Sequence, residues 1–200
     1  MVKYKVLFTA DLQNLTNLKP SYDPTFAYYF KMKCGNCGEP ASNVISVHPN
    51  VKVDDSKNSP NLEMKCKFCE RVGSVTVTPI CGKPLTQALS VFRESAPLVQ
   101  VDCKGFDPVE FVFRSSWKAK SIAGTKFEDI DLSDGDFDEY DEKGECPVSI
   151  NNLGVTFEVM MSEMREKRLA WDKSMLERQR SHSARLKAWK KEHGRSSSYY

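Results

Sequence analysis

The sequence predicts a mainly β protein in residues 1–158, followed by a long C-terminal α-helix in a basic extension, residues 159–200. Three observations lead to this prediction. Apolar and polar side chains alternate in short segments up to about residue 158, which is typical of half-buried strands. Asn, Asp, Gly and Pro separate these segments, as expected of turns. Residues 160–193 contain no Pro or Gly and are rich in good helix formers.

In the first half of the predicted β region, short segments of alternating residues indicate strands. We predict strands at residues 3–12, 26–33, 44–47, 51–53, 62–65 and 73–80. Asn, Ser, Asp and Pro dominate residues 14–24, so we expect a turn-rich connection there. Residues 54–61 read as a polar loop. This half, about residues 1–83, therefore consists of strands and turns.

The second half, about residues 84–158, begins with a linking stretch and continues with strands at 98–103, 109–113 and 148–159. In 109–113, Val109, Phe111 and Phe113 are predicted to share one face. The order of strand, turn-rich crossing and aromatic strand occurs at 3–33 and again at 98–118. This repetition indicates an internal duplication with cysteine pairs only in the first copy.

An acid-rich segment, residues 128–145, contains ten acidic residues and one basic residue, Lys143. Charge runs usually remain solvated, so we predict a loop there. Four apolar residues are expected to anchor it: Phe127, Ile130, Phe137 and Tyr140. The alternative is an acidic patch that meets a basic partner, such as the chain's own tail.

Composition limits the compartment and the chemistry of the seven cysteines. The N-terminus lacks the apolar region and cleavage site of a secretory signal. No apolar run approaches the ~18 residues of a membrane span. We therefore expect a cytoplasmic protein that could also enter the nucleus, with its cysteines mostly reduced.

Four of the cysteines form two CxxC pairs, Cys34 with Cys37 and Cys66 with Cys69, which are separated by 28 residues. Two residues between cysteines let one tight turn, a knuckle, direct both sulfurs at one point, and two knuckles complete a tetrahedral zinc site. Gly35 is expected to allow the backbone conformation that such a turn requires, and Gly38 likewise. We therefore predict one structural zinc ion per chain, held by these four thiolates. Lys33, Lys65 and Lys67 would offset the negative charge.

Other uses of the cysteine pairs fit the sequence less well. A thioredoxin-like pair places its first cysteine at a helix N-terminus, whereas both pairs here lie in strand-and-turn sequence. Catalytic zinc usually keeps an open position, and four thiolates close the site. Cys81, Cys103 and Cys146 show no pairing by spacing, and a nucleophilic cysteine lacks an evident neighbouring base. No catalytic residue is predicted.

Four motifs occur in order: KMKCGNCGE at residues 31–39, KCKFC at 65–69, GFDPVEF at 105–111 and YDEK at 140–143. Together they resemble the eukaryotic CXXC-motif-containing zinc-binding protein family. The resemblance covers residues 1–158 and implies two β-sheet halves with approximate two-fold symmetry and one zinc in the N-terminal half. It implies metal binding as the only established activity. The basic extension departs from the family pattern.

The extension carries a charge of its own. Residues 158–200 contain 11 Lys/Arg and 6 Asp/Glu, a net +5, whereas residues 1–157 contain 18 and 21, a net −3. A solvated, partly frayed helix is one interpretation. The other is a helix that binds a protein partner through four anchors, Trp171, Met175, Leu186 and Trp189. The charge also suits RNA, although no known nucleic-acid motif is present.

Together these features predict a monomeric zinc-binding protein of the binding or adaptor type, without catalysis. The alternative is a thiol-based oxidoreductase or a metal-transfer factor that uses the CxxC pairs. Stable zinc that resists mild oxidant would favour the first hypothesis. Ready exchange of zinc for copper would favour the second.

Overall fold

The computed structural model describes residues 1–23, 25–56 and 58–160, and in the extension residues 171, 174–181, 183–185 and 187. The chain divides into two units, Met1–Met160 and Met161–Tyr200. The first unit is mainly β, as predicted. Its elements are β1 (Val2–Gln13), β2 (Leu15–Pro20), β3 (Tyr28–Cys34), β4 (Ile45–Val47), β5 (Leu62–Lys65), β6 (Val72–Pro79), α1 (Gln87–Val91), β7 (Ala96–Lys104), β8 (Phe106–Val112), β9 (Trp117–Ser121), β10 (Lys126–Ile130), β11 (Phe137–Asp141) and β12 (Cys146–Met160).

The strands form three sheets. A six-stranded sheet has the order β11-β12-β1-β7-β6-β5, and two three-stranded sheets have the orders β10-β9-β2 and β4-β3-β8. Each sheet contains strands from both sides of residue 83, so the two predicted halves are joined by backbone pairing. The first strands of the two predicted copies, β1 and β7, pair antiparallel, and so do their aromatic strands, β3 and β8.

The core lies between the sheets and is rich in aromatic rings. Trp117 is buried and meets the ring of Phe8 at a centroid distance of 5.4 Å. Phe26 meets both Trp117 and Tyr28 edge to face. Such edge-to-face pairs add stabilisation beyond the burial of their area. The alternating sequence of β3 buries Tyr28, Phe30, Met32 and Cys34 on this side, which brings the first cysteine of the cluster to the end of a rigid strand.

Residues 15–20 of the predicted turn-rich connection form strand β2, so the prediction is wrong for them. Asn14 and Asn17 adopt positive φ angles of 55° and 59°. Asparagine tolerates this conformation better than most residues. The bends turn Leu15 and Leu18 into the core, where both are fully buried. Asn14 therefore separates β1 from β2, whereas Asn17 bends β2 without ending it. Asn152, with φ 52°, likewise marks a bulge within β12.

The acid-rich segment is also more ordered than predicted. It forms strand β11 and most of β10, so a loop is wrong for those residues. Ile130 is buried, and the rings of Phe127 and Phe137 meet at 6.1 Å, but Tyr140 is exposed. Of the five acidic side chains in these two strands, four are exposed and Asp141 is buried, which allows a charged sequence to pair in a sheet.

Two other local predictions differ from the structure. The linking stretch after residue 84 contains α1, whose N-cap Thr86 accepts a hydrogen bond from the amide of Leu89 at 3.3 Å. Five residues are too few to show a helical period in the sequence. Residues 51–53 are not a strand. Asn61 donates to the carbonyls of Pro49 and Val51 and so fixes this segment as a loop.

The extension is helical at residues 171, 174–181, 183–185 and 187. Met160 belongs to β12, where it pairs with Lys3, so the predicted helix does not begin there. The other residues of that prediction, including Leu186 and Trp189, lie outside the described part of the chain. A long continuous helix is therefore not supported. No helix in the described ranges has the length and apolar character that crossing a membrane requires.

Phe111 and Val109 provide a test of the β8 register. The pairing of β3 with β8 shifts between Lys31 and Met32, so Val109 bulges out and is 46% exposed, whereas Phe111 is 7% exposed. The predicted shared face is therefore wrong for Val109. We expect Phe111→Ala to lower the free energy of unfolding by about 3–5 kcal/mol. Val109→Ala should change it by less than about 0.5 kcal/mol. Equal effects in urea unfolding would contradict the bulge.

Candidate metal centre

The four predicted cysteines lie at the ends of strands in two different sheets. Cys34 is the last residue of β3, and Cys37 lies in the turn that follows. Cys66 directly follows β5, and Cys69 lies in the turn before β6. Each knuckle therefore projects from a strand whose position is fixed by backbone pairing. The structure brings all four predicted residues to one place.

The sulfur positions match the dimensions of a tetrahedral thiolate site. The Sγ atoms of Cys34 and Cys69 are 3.6 Å apart, and those of Cys37 and Cys66 are 3.7 Å apart. All four lie within 4.8 Å of one another. A regular tetrahedron with Zn–S bonds of ~2.3 Å has sulfur–sulfur edges of about 3.8 Å. The donor set and its spacing therefore fit one zinc ion without rearrangement.

The two knuckles have the same backbone hydrogen bonds. The amide of Cys34 donates to the carbonyl of Glu39, and the amide of Gly38 donates back to the carbonyl of Cys34 at 2.9 Å. In the second knuckle, the amide of Cys66 donates to Arg71, and that of Glu70 donates back to Cys66 at 3.0 Å. The CxxC sequence thus folds into one type of turn twice, although the residues after each pair differ.

The position after the second cysteine requires a left-handed backbone. Gly38 has φ 76° and Glu70, its equivalent, has φ 58°. The predicted role of Gly38 is therefore confirmed, and the second knuckle accepts a strained non-glycine residue at the same place. Gly35 does not have a positive φ, so its predicted role is wrong. Its amide instead donates to the carbonyl of Gly105 at 3.0 Å, which ties the first knuckle to the start of β8.

Backbone amides point at three of the sulfurs. Cys34 accepts from the amides of Cys37 and Asn36, and these bonds lower the pKa of its thiol. Cys69 accepts from the amide of Arg71, which lowers its pKa to about 6. Amide hydrogen bonds stabilise a thiolate over a thiol. The peptide turns are therefore arranged for negatively charged sulfur.

Cys37 shows why a cation suits the cluster. Its sulfur accepts from the amide of Glu39, which lowers its pKa. Loss of water around the sulfur and its contacts with the three other thiols outweigh that bond and raise its pKa to about 12. Adjacent thiolates repel one another unless a positive charge lies between them. A divalent metal ion supplies that charge and allows all four thiols to lose their protons.

Polar side chains around the cluster connect the two knuckles. Arg71 donates from Nη1 to Oδ1 of Asn36 at 3.0 Å, and the Asn36 side chain also contacts Cys69. Lys65 forms an exposed ion pair with Glu70 at 3.2 Å, so its charge is not directed only at the sulfurs. The sequence prediction missed Asn36 and Arg71, because neither the positions within a CxxC pair nor those that follow it carry a recognisable pattern.

Close to the knuckles, two glycines allow the six-stranded sheet and the sheet of β4, β3 and β8 to approach each other. A Cβ on Gly73 would overlap the carbonyl oxygen of Lys104 and lie 2.5 Å from the ring of Phe106. Gly105 has φ 79° at the point where the chain passes from β7 to β8, and a Cβ on it would lie 3.4 Å from Cα of Gly73. Phe106 is buried there and pairs with Cys34. Close packing at this crossing sets the distance between the two knuckles.

The three other cysteines lie apart from the cluster. Cys103 is buried in β7, and burial raises its pKa to about 12. Cys81 is exposed, and Cys146 opens β12 half-buried. Within the clustered four, Cys34 and Cys66 are buried whereas Cys37 is exposed.

The geometry and the sequence now point to one family. The model of the eukaryotic family of CXXC motif containing zinc binding proteins matches residues 5–158. The chain belongs to this family. The CXXC motif containing zinc binding protein of Homo sapiens is 33% identical over 153 residues, which cover 75% of this chain and 94% of the human one. The UPF0587 protein CG4646 of Drosophila melanogaster is 34% identical over 161 residues, or 78% and 97%.

Solved structures show the same fold. The crystal structure of C1orf123 superposes with a TM-score of 0.71 at 30% identity, covering 79% of this chain and 99% of that one. A hypothetical protein from Plasmodium falciparum superposes at 0.67 with 17% identity and covers 79% of this chain, a likeness of fold alone. Zinc is the metal of this CXXC family, and four cysteines of this chain are positioned to bind one metal ion.

The two glycines of the first knuckle allow a matched test of its geometry. Gly38 has a positive φ and open space around a Cβ, whereas Gly35 lacks a positive φ and a Cβ there would meet neighbours at an ordinary 3.5 Å. We expect Gly38→Ala to lower the free energy of unfolding of the zinc-loaded protein by about 1–2 kcal/mol through backbone strain. Gly35→Ala should have a smaller effect. The reverse order in chemical denaturation would contradict the turn geometry.

Proposed function

We propose that Cys34, Cys37, Cys66 and Cys69 hold one structural zinc ion, and that the protein is a cytoplasmic binding or adaptor protein without catalysis. The observation that supports this most strongly is the convergence of four sulfurs from two sheets at tetrahedral spacing. Four protein donors fill the coordination shell of zinc and leave no position for a substrate or an activated water. A site of this kind stabilises a fold and does not carry out a reaction.

The stabilisation expected from the metal is comparable with the whole stability of a domain. Zinc in structural peptide sites contributes an apparent ~10–16 kcal/mol near neutral pH. Ordinary domains are stable by only ~5–15 kcal/mol. The strands that carry the knuckles, β3 and β5, pair with β8 and β6, so loss of the metal would loosen two sheets together.

Zinc content and stability provide the direct test. We expect one zinc per purified chain by elemental analysis, and a large fall in unfolding temperature when a chelator removes it. Cys66→Ser should abolish stoichiometric zinc and destabilise the fold, because three thiolates bind zinc more weakly and one buried ligand is lost. Cys81→Ser is the matched control, since Cys81 is exposed and lies outside the cluster. Full zinc and native stability in the Cys66 variant would contradict the assignment.

A second candidate function follows from the exposure of Cys37. An accessible thiolate allows a partner to attack a zinc site by ligand exchange, as a metal-transfer factor or thiol oxidoreductase requires. The two candidates differ in their response to mild oxidant and to copper. Retention of zinc under both conditions, with no thiol-dependent turnover of disulfides, supports the structural role. Loss of zinc together with transfer of the metal to an added acceptor would favour the second candidate.

The approximate two-fold relation between residues 1–83 and 84–158 is part of the proposal. A two-fold axis that exchanges two neighbouring strands of a sheet requires them to run antiparallel. The pairing of β1 with β7 and of β3 with β8 meets this requirement. Only the first half retains cysteine pairs, so the metal would belong to one copy of a duplicated unit.

The basic extension is the proposed contact with a protein partner. Trp171 is 62% exposed and Met175 is 36% exposed, four residues further on. Residues four apart on a helix lie on the same face. Their apolar side chains are therefore available as anchors, and Leu186 and Trp189 would continue the set. The excess of Lys and Arg suits an acidic protein surface.

Removal of the anchor side chains should weaken binding of the partner more than removal of nearby polar groups does. We expect Trp171→Ala combined with Met175→Ala to reduce partner binding at least tenfold, because aromatic anchors carry much of the energy of an interface. Ser174→Ala combined with Ser181→Ala is the control, since Ser174 is half-buried, Ser181 is exposed, and each hydroxyl donates to a carbonyl three residues earlier. Capture by full-length protein and by a chain ending at Met160 measures the effect. Equal capture by both chains would contradict the role of the extension.

A further inference from the structure

The three-stranded sheet β10-β9-β2 carries a groove on its outer face, in a sheet that holds neither knuckle. The groove has a volume of about 360 Å³. Four lysines line it, two from β9 and one from each neighbouring strand: Lys19, Lys118, Lys120 and Lys126. Residues 1–157 as a whole carry a net charge of −3, so this concentration of positive charge is a local feature.

The strand register sets these lysines against one another. Lys126 lies directly opposite Lys120, and Lys19 lies directly opposite Lys118. Like charges at directly opposite positions destabilise a strand pair. Two such pairs lie on one face of one small sheet, so the protein alone gains no stability from this arrangement. A bound anion that contacts both members of a pair would remove the repulsion.

A fifth lysine reaches the same region from the turn between β11 and β12. This is Lys143 of the YDEK motif, to which the metal centre gives no role. A Cβ placed on Gly124 would lie 3.6 Å from Nζ of Lys143 and 3.7 Å from Cε of Lys120. The two lysine side chains therefore pass beside the same glycine in the β9–β10 turn. The positive charge thus continues from the groove to this turn.

Few carboxylates offset these charges. Within the described ranges, Glu128 is the only acidic residue that lines the groove. It lies 3.7 Å from the ammonium group of Lys118, and a solvent-accessible ion pair of this kind contributes little to stability. The ammonium groups of Lys19, Lys120 and Lys126 have no ion pair or hydrogen bond with any residue that the structure describes. Uncompensated positive charge in a groove attracts anions.

The other residues of the groove restrict the kind of anion. Asn17 is exposed and adds an amide group that can donate hydrogen bonds. The aromatic residue of the lining is Phe127, which is half-buried and packs its ring against Phe137 at 6.1 Å. Single-stranded nucleic acids usually stack their bases on exposed aromatic side chains. Membrane-surface binding usually adds exposed apolar side chains, and the residues that line this groove include none.

We propose that this groove binds a compact, soluble polyphosphate, that is, a molecule with two or more adjacent phosphate groups that needs no base or lipid chain for recognition. Neighbouring strands lie about 4.8 Å apart, so lysines on adjacent strands can reach adjacent phosphate groups. Lysine is a common phosphate ligand and acts as a point charge. Phosphate oxygens would accept from Lys19, Lys120 and Lys126 and from the amide of Asn17. The proposal does not depend on the metal centre.

Tripolyphosphate and tricarballylate are suitable probes for the zinc-loaded, full-length protein. Both are small flexible anions, but one carries phosphate groups and the other carries three carboxylates. We expect tripolyphosphate to bind at least tenfold more tightly in calorimetric titration at low salt. Its affinity should fall as salt is added, because exposed charges are screened. Zinc content measured after the titration shows that the metal centre is intact.

Lys120→Gln combined with Lys126→Gln tests the groove directly. We expect this variant to bind tripolyphosphate at least tenfold more weakly, because hydrogen bonds to charged groups are among the stronger ones. Without ligand, its unfolding temperature at low salt should equal or exceed that of the native protein, because one repulsive pair is removed. Lys5→Gln combined with Lys104→Gln is the control, since it removes the same charge from the six-stranded sheet. The control should bind within about twofold of the native protein.

Four results would overturn the proposal. One is no binding of tripolyphosphate at millimolar concentration, or equal binding of tricarballylate. Another is unchanged binding in the Lys120 and Lys126 variant, which would assign the anion to the basic extension that both variants retain. The third is equal weakening in the control, which would mean that only net charge matters. The fourth is tighter binding, dependent on the same two lysines, of a uridine oligonucleotide or of phosphoinositide-containing vesicles.

Discussion

Four sulfur atoms from two different sheets lie within 4.8 Å of one another, and the arrangement of the first unit makes this proximity possible. Thiol groups do not attract one another strongly enough to hold two sheets together. The peptide framework therefore has to bring them close, and a cation completes the site. Amides directed at the sulfurs of Cys34 and Cys69 show that the framework favours the thiolate form before any metal binds.

The framework depends on one crossing below the knuckles. Gly105 carries the chain from the six-stranded sheet to the small sheet of β3, β4 and β8, and Gly73 leaves room for Phe106 at this point. The amide of Gly35 binds the carbonyl of Gly105 directly. The first knuckle is thereby fixed to the strand crossing, and the second knuckle is fixed to β6, the strand that contains Gly73. The contacts that pack the two sheets at this crossing therefore also position the cysteines of both knuckles.

Much of this was predictable from local sequence, because CxxC spacing and strand alternation are short-range patterns. The ligand-type residues, the mainly β fold and the left-handed position at Gly38 follow from such patterns. Glu70 could not be anticipated at the equivalent position, since its backbone is imposed by the turn against its own preference. Val109 looked like a core residue because its alternation is regular, and only the pairing with β3 introduces the bulge.

The missed features depend on contacts between distant residues. Leu18 is buried because it bridges to Leu85 across the fold, although its neighbours read as turn residues. The acidic strands β10 and β11 exist because β9 and β12 offer partner edges. Tyr28 belongs to a correctly predicted aromatic strand, yet nothing in the sequence indicates that its buried hydroxyl lacks a hydrogen-bond partner among the described residues. Periodicity identifies which side chains are buried, and tertiary packing decides what their polar atoms meet.

The pairing of the first strand with the last one affects the order of events during synthesis. β1 pairs with β12 along nearly its whole length, from Lys3 opposite Met160 to Gln13 opposite Ser149. At ~5–20 residues per second, the ribosome needs roughly 7–30 s to produce the partner of β1 after β1 itself is complete. During that interval one edge of β1 is available to other chains. The extension delays release of the nascent chain until after β12 has been made, so the sheet can close before the newborn protein leaves the ribosome.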